Sequence, residues 1–382
     1  EALVTVNAGL TTAEVYANIV PQGYFAKSVT AGPLFTVAGE IANPVHGATL
    51  TDTWLGNVDE MLVVNGLGEV VKVSKEEVEK RYVGNNGILG IIIAARLPVI
   101  YAPTVTMGSM CGYSLFKESI SDTAVWDFFC PFMSLHAPHT FIDPYSGDAT
   151  IVYWHFSKTP GDLVTMQAAQ DARLEALKDP YDGAVKIAIA ELAFAASDAL
   201  VTSGRPKAMA AATGIEILLQ QKAAARTTSD GYWLKTAGSC FIIDYLYPAR
   251  YLPAVCRALC KFAAKIVNDK SYIPVNTGID VRWVNLDKER NPLCPFPKVG
   301  LDNKMLDLEA GVPPDLAGRF VSSELALLTS DYATVGQRVL KTAGEWEKIF
   351  LEVTEGTCVP IPSKSFGIEL RGGPGGYAAG EE

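Results

Sequence analysis

An acidic and a basic residue stand two places apart in the run Ile279 to Val284, which has the composition of a β-strand. Alternate side chains of a strand point to the same face, so Asp280 and Arg282 would lie side by side. Such a pair could orient a polyol or a lactone, and the guanidinium could also stabilise negative charge. The alternative is a surface ion pair, which contributes about 0–1 kcal/mol to stability.

Histidines suggest a second kind of chemistry. Three of the four in the chain, His136, His139 and His155, lie in one aromatic-rich segment, and the first two form the motif His-Ala-Pro-His. That spacing across a proline is not helical, and no acidic residue or cysteine stands nearby at the spacing of a metal ligand. We therefore expect ordinary histidines here and no metal site.

Small residues follow a β-rich run near the N-terminus. Leu34 to Val37 is predicted as a strand, and Ala38-Gly39, Asn43-Pro44 and His46-Gly47 come directly after it. Small residues in this position let a backbone approach something bulky and flat. An ordinary tight connection is the alternative for the Ala-Gly pair taken alone.

A hairpin and a further strand come next. Val58 to Asn65 and Val70 to Ser74 are predicted as paired strands with glycine in the turn between them. Gly87 and Gly90 then bracket the entry to an apolar run, Ile88 to Ile93, which is predicted as a buried strand.

Taken in this order, these segments resemble the second half of the FAD-binding domain (PCMH type) of the vanillyl-alcohol-oxidase flavoproteins. The likeness covers Val4 to Leu97 and, more weakly, the rest of the chain, where it is nearest to the sugar-lactone and alditol oxidase branch. It implies an α+β fold with a PCMH-type FAD-binding subdomain, a mixed sheet with flanking helices, over residues 1–103. An α+β cap domain would cover residues 104–300. Residues 301–382 would form a helical segment that returns toward the flavin, with a flexible Gly-rich tail over 371–382.

The resemblance also implies roles for individual residues. Close backbone approach to the flavin would come from Gly39 and Ala42, with His46 and Gly47 nearby and the backbone of Ile92 facing the adenine. The segment around Asp280 and Arg282 resembles a Glu-x-Arg strand that faces the substrate side of the flavin, although here aspartate replaces glutamate.

A further match lies near the C-terminus. Lys364 stands where the branch has the lysine of a His-Trp-x-Lys motif near the flavin, but Ile361 and Pro362 replace the histidine and the tryptophan. The catalytic set that the resemblance implies is therefore Asp280, Arg282 and Lys364.

The function that the resemblance implies is FAD-dependent oxidation of a CH–OH group in a sugar, an aldonolactone or a similar polyol. In the family, a preceding subdomain carries the Gly-rich loop that holds the FAD pyrophosphate, and no such loop occurs in this sequence. Either the gene product has been cut, or a companion polypeptide carries the missing subdomain, or cofactor binding has been lost. The alternative is a degenerate, inactive flavoprotein fold that serves as a structural subunit.

Composition narrows the other possibilities. A net charge of −10 argues against nucleic acid as a partner, and no uninterrupted apolar run reaches about 18 residues, as a membrane-spanning helix requires. The seven cysteines form no Cys-x-x-Cys pair, which suggests a reducing, intracellular compartment or unpaired buried thiols. Further along the chain, apolar periodicity predicts helices over 183–200, 206–225 and 248–267, a strand over 240–247, and two helical stretches between Val321 and Trp346.

Overall fold

The computed structural model describes residues 2–26, 35–42, 58–82, 85, 87–130, 136–157, 200, 207–208, 211–213, 240–267, 269–284, 320–328 and 332–360. Their strands form two sheets, which are described in turn below. The helices that the sequence predicts over 183–200 and 206–225 lie largely outside these residues.

The first sheet is antiparallel throughout its described pairs. It contains β1 (Ala2–Asn7), β2 (Tyr24–Ala26), β3 (Glu60–Val64), β4 (Val70–Ser74) and β5 (Ile91–Tyr101). The strand order is β1-β5-β3-β4, and β2 also pairs with β5. The expectation of a mixed sheet was wrong, because β1, β2 and β3 all run antiparallel to the long strand β5.

Two helices pack beside this sheet, α1 (Thr12–Ile19) and α2 (Val37–Ala42). A capping box starts α1: Thr11 Oγ1 accepts a hydrogen bond from the backbone N–H of Glu14, and the Glu14 carboxylate accepts one from the backbone N–H of Thr11. The strand predicted from Leu34 to Val37 was wrong for residues 35–37, the part of it that the structure describes. Thr36 makes an isolated bridge to Thr11 and then accepts a hydrogen bond from the Gly39 N–H at 3.1 Å, so it begins a helix instead.

The hairpin of β3 and β4 is confirmed. Asn65 shapes its turn by accepting hydrogen bonds from the N–H groups of Leu67 and Glu69, and Gly68 has a positive φ of 80°. After β4 the chain forms a short helix, α3 (Lys75–Glu77), and a π-helical turn over Val78–Tyr82.

The run from Ile88 to Ile93 is only partly what the sequence predicts. β5 begins at Ile91, and Ile88 precedes it in a turn with its side chain 83% exposed. Ile92 is buried whereas Ile91 is 69% exposed, because successive residues of the strand point to opposite faces of the sheet.

The second sheet contains seven described strands in the order β12-β9-β11-β10-β7-β8-β6, and its pairs are again antiparallel. They are β6 (Thr104–Gly112), β7 (His136–Ile142), β8 (Ala149–Ser157), β9 (Cys240–Pro248), β10 (Ile279–Val284), β11 (Phe320–Leu328) and β12 (Val359–Pro360). The strands predicted within β9 and β10 are confirmed. The helix predicted from Val321 onward was wrong at its start, since those residues form β11.

Three of the described helices pack on one face of the second sheet: α4 (Asp122–Phe129), α5 (Leu252–Ile266) and α6 (Tyr332–Val353). Phe129 of α4 packs edge-on against Trp283 of β10, and Phe350 of α6 stacks on Tyr245 of β9. The helix predicted over 248–267 is confirmed as α5, and its apolar face buries Leu252, Val255, Leu259 and Phe262. Among the described helices, none is long and apolar enough to cross a bilayer.

The two faces of the second sheet belong to different hydrophobic clusters. Ile142 of β7 packs into the cluster beneath α4, α5 and α6, whereas its neighbour Phe141 packs into the cluster of the first sheet. We call the face that carries Ile142, which lies beneath these three helices, the helix-covered face. The opposite face therefore adjoins the first sheet and its helices at Phe141.

Candidate functional site

Asp280 and Arg282 lie together on β10, as the sequence predicts. The Arg282 Nε–H donates to Asp280 Oδ2 at 2.8 Å, and Nη2 lies 2.7 Å from the same oxygen. The Arg282 side chain is only 7% exposed, and the Asp280 side chain is only 12% exposed. The alternative of a solvated surface ion pair was therefore wrong.

A second carboxylate completes the arrangement. Glu324 of β11 stands directly opposite Asp280, and its Oε2 accepts a hydrogen bond from Arg282 Nη2 at 2.6 Å. The Glu324 side chain is 14% exposed, so all three charged groups are taken largely out of water. Sequence reasoning missed this residue because Val321 to Trp346 was predicted as helical. Once Phe320–Leu328 is seen as a strand, Glu324 is the one carboxylate within it.

A third acid lies one strand further on. Asp244 of β9 is the cross-strand partner of Glu324, and it accepts a hydrogen bond from the hydroxyl of Ser322. Directly opposed residues of an antiparallel sheet project from the same face. Asp280, Glu324 and Asp244 therefore form a row across three neighbouring strands, with Arg282 bonded to the first two.

Charge balance in this row holds the guanidinium ionised. Burial by itself lowers the pKa of Arg282, but the negative charges of Asp280, Glu324 and Asp244 outweigh burial and raise the pKa above its ordinary value. Removing the guanidinium or its carboxylates leaves a buried charge without a counter-charge, which lowers stability far more than the loss of a surface ion pair.

One edge of the guanidinium is not used by this arrangement. Arg282 carries five N–H donors. Nε and Nη2 are directed to Asp280 and Glu324, and Nη1 donates to no residue that the structure describes. Two neighbouring donors on a buried, permanently charged group are suited to a ligand with carbonyl or anionic oxygens.

The position of the row on the sheet bears on what such a ligand could reach. Asp280 pairs with Phe141 on its other side, and Phe141 belongs to the cluster of the first sheet. Trp283 and Tyr245, by contrast, lie in the helix-covered cluster. The charged row is therefore on the face that adjoins the first sheet.

The other predicted site residues lie in the first unit or outside the described residues. Gly39 and Ala42 fall in α2, and Ile92 lies in β5 with its Cα opposite Val63. The choice of glycine at position 39 has a local explanation, because a Cβ there would stand only 3.0 Å from Thr36 Oγ1. His46, Gly47 and Lys364 lie outside the described residues.

Cholesterol oxidases are among the solved structures that share this architecture. A solvent-stable cholesterol oxidase superposes with a TM-score of 0.60 at 14% identity, covering 96% of this chain and 71% of its own. The cholesterol oxidase of B. sterolicum gives a TM-score of 0.62 at 14% identity, covering 96% and 72%. A histidine variant of the Brevibacterium sterolicum enzyme gives 0.61 at 15% identity, again covering 96% and 72%. The chain has the cholesterol oxidase fold.

At these identities the likeness concerns the fold. No protein-family model matches the sequence, and no curated protein matches it either. The fit of a cofactor must therefore be judged on the residues themselves. An N–H of Arg282 Nη1 can donate to a single acceptor such as a carbonyl oxygen at the pyrimidine edge of a flavin, so the site is chemically compatible with FAD.

Proposed function

We propose that this protein is an FAD-dependent oxidoreductase that oxidises a CH–OH group by hydride transfer to the flavin. The observation that carries the proposal is the buried Arg282, held by Asp280 and Glu324 with its Nη1 edge available to a ligand. The fold shared with cholesterol oxidases, which act on an alcohol, supports the same reaction class.

In this proposal FAD, when bound, supplies the hydride acceptor, and the protein supplies orientation and electrostatics. Arg282 would donate from Nη1 to an oxygen of the flavin and stabilise the negative charge that the flavin gains as the alcohol is oxidised. Asp280 lies beside it and provides the carboxylate that takes the hydroxyl proton. Lys364 would stand near the flavin edge. The FAD would be held by Gly39, Ala42, His46, Gly47 and Ile92.

For the substrate we propose a sugar, an aldonolactone or another polyol. Carboxylates and a guanidinium form several directed hydrogen bonds, which suits a molecule that carries many hydroxyl groups. The similar structures are named for cholesterol, a large apolar alcohol with a single hydroxyl, so a sterol is the competing substrate class.

The pyrophosphate of FAD requires backbone donors of the kind that a Gly-rich loop provides. We propose that polypeptide outside residues 1–382 supplies that loop. The scaffold alternative draws support from aspartate in place of glutamate at position 280 and from Ile361 and Pro362 in place of the histidine and tryptophan of the motif.

The test is a titration of the purified protein with FAD, followed by flavin fluorescence, and then anaerobic mixing with single alcohols. We expect FAD to bind and its visible absorption band to bleach with an alditol or an aldonolactone, and to a smaller extent with cholesterol dispersed in detergent. Bleaching by cholesterol alone would replace the polyol proposal with a sterol. A folded protein that binds no FAD, alone or with the polypeptide that accompanies it in native material, would leave the scaffold role.

A further inference from the structure

We propose that Glu324 is a positioning residue, which fixes the orientation of the Arg282 guanidinium so that its Nη1 edge faces the flavin. The proposal rests on the proposed function and adds a residue that neither the sequence pattern nor the resemblance indicates. Glu324 belongs to β11, a different strand from Asp280 and Arg282.

Asp280, the first anchor of the guanidinium, does not fix its orientation alone. Asp280 engages Arg282 through one oxygen, Oδ2, which lies 2.8 Å from Nε and 2.7 Å from Nη2. A guanidinium bound to a single oxygen can still pivot about that atom. The bond from Nη2 to Glu324 Oε2, at 2.6 Å, adds a second point and so fixes the plane of the group.

Backbone register fixes where this second anchor stands. Antiparallel pairing sets Glu324 opposite Asp280 on β10 and opposite Asp244 on β9. Central strands that are paired on both sides cannot slip without moving every neighbour. The carboxylate of Glu324 is therefore held by the sheet, and the guanidinium is positioned against it.

An alternative role for Glu324 is to neutralise part of the positive charge of Arg282. The two roles make opposite predictions for an anion bound beside the flavin. If Glu324 only neutralises, its removal makes the site more positive and anions bind more tightly. If it positions the guanidinium, its removal lets Nη1 turn away and anions bind more weakly.

Sulfite is the probe that separates the two roles. It adds to oxidised flavin and leaves negative charge on the pyrimidine part of the ring, so the affinity for sulfite reports on a cation that faces that edge. The variants are Glu324→Ala, which removes the anchor, and Glu324→Gln, which keeps an oxygen at the same reach. Glu345→Ala is the matched control, because Glu345 pairs with Lys348 at the surface of α6.

We expect sulfite to bind about tenfold more weakly to Glu324→Ala, the loss that corresponds to one charge-assisted hydrogen bond. Glu324→Gln should stay within about threefold of the wild type, since its amide oxygen still accepts from Nη2. Glu345→Ala should leave the affinity unchanged. Thermal melting and FAD content establish that each variant is folded and loaded before sulfite is added.

Wild-type or tighter sulfite binding by a loaded Glu324→Ala protein would overturn the positioning role. If that variant does not fold, tighter binding by Glu324→Gln would overturn it instead. A wild-type protein that takes up no FAD, alone or with the polypeptide that accompanies it in native material, would remove the proposed function itself, and this result is recognised before any variant is compared.

Discussion

The distinguishing feature at the scale of single residues is a cation buried among acids. A surface Asp–Arg pair could be removed with little effect on stability. Arg282 instead neutralises two carboxylates with which it is in contact, Asp280 and Glu324, and a third, Asp244, acts on it from the neighbouring strand. The site therefore makes a structural contribution that can be measured without any ligand.

We expect Arg282→Met to lower the free energy of unfolding by about 3–5 kcal/mol, because it leaves the carboxylates of Asp280 and Glu324 buried without their cation. Arg282→Lys should cost less, since the charge stays and only the forked geometry is lost. Urea denaturation followed by circular dichroism measures both. Arg81→Met, which breaks the exposed pair with Glu77, is the control and should change stability by no more than about 0.5 kcal/mol.

Asp143, which follows β7, gives a prediction in pH. Burial raises the pKa of its carboxyl above the usual 3.8, despite hydrogen bonds from the N–H of Tyr145 and the hydroxyl of Ser146. A carboxyl with a raised folded-state pKa favours folding below its unfolded-state pKa and loses that contribution as the pH rises through the folded-state value.

Asp143→Asn removes this titration and keeps the shape of the side chain. We therefore expect the stability of the variant relative to the wild type to increase as the pH rises from about 4 to 7. Urea midpoints at several pH values measure the difference. A difference that stays constant over this range, or that shrinks, would contradict the assignment.

At the scale of elements, the entry to β5 depends on one glycine. Gly90 has a φ of +133°, and a Cβ at that position would stand 2.4 Å from the carbonyl oxygen of Val64 and 2.8 Å from Val63 Cγ1. Glycine is therefore required both by the backbone conformation and by the close approach of β3. Because β5 is the strand to which β1, β2 and β3 all pair, its entry affects the whole first sheet.

We expect Gly90→Ala to reduce the free energy of unfolding by at least about 2 kcal/mol through backbone strain and steric overlap. Gly66→Ala, in the hairpin turn before it, has no atom within 4 Å of the new Cβ and serves as the control. Thermal or urea unfolding measures both variants. Equal stability of the two proteins would show that β3 can move away from Gly90 without cost.

At the scale of the whole molecule, the described chain has two hydrophobic clusters that meet opposite faces of the second sheet. The cluster under α4, α5 and α6 contains the largest buried side chains, among them Trp283 and Trp346. Two cysteines of α5, Cys256 and Cys260, also lie inside it. The reaction of these thiols with an alkylating reagent shows whether this cluster opens locally or only when the whole protein unfolds.

We expect Cys256 and Cys260 to resist iodoacetamide until global unfolding. Burial raises the pKa of both thiols, that of Cys260 to about 12, and it also blocks the reagent. Cys130, which is half-buried after α4, should react before either of them. Peptide mass mapping of the alkylated protein over increasing urea measures each site. Reaction of Cys256 at the rate of Cys130 in native buffer would contradict a closed cluster.

Much of the fold could be predicted because local rules apply to it. Thr11 and Glu14 have the spacing of a capping box, and the turn glycines after Asn65 mark a hairpin. β11 could not be predicted in this way. Phe320 to Ser323 are all buried, since β9 and β10 pair on its two sides, and a strand buried on both faces loses the alternation that identifies it.

The same distinction applies to the candidate site. A strand with period two was sufficient to place Asp280 and Arg282 on one face, because that arrangement depends only on neighbouring residues. Whether the pair is exposed or buried, and that Glu324 and Asp244 join it, depends on which strands become neighbours. Glu324 is 42 positions from Arg282 in the chain, so the sequence alone determined one half of the site. Only long-range strand pairing, which places the second anchor beside the guanidinium, decided the other half.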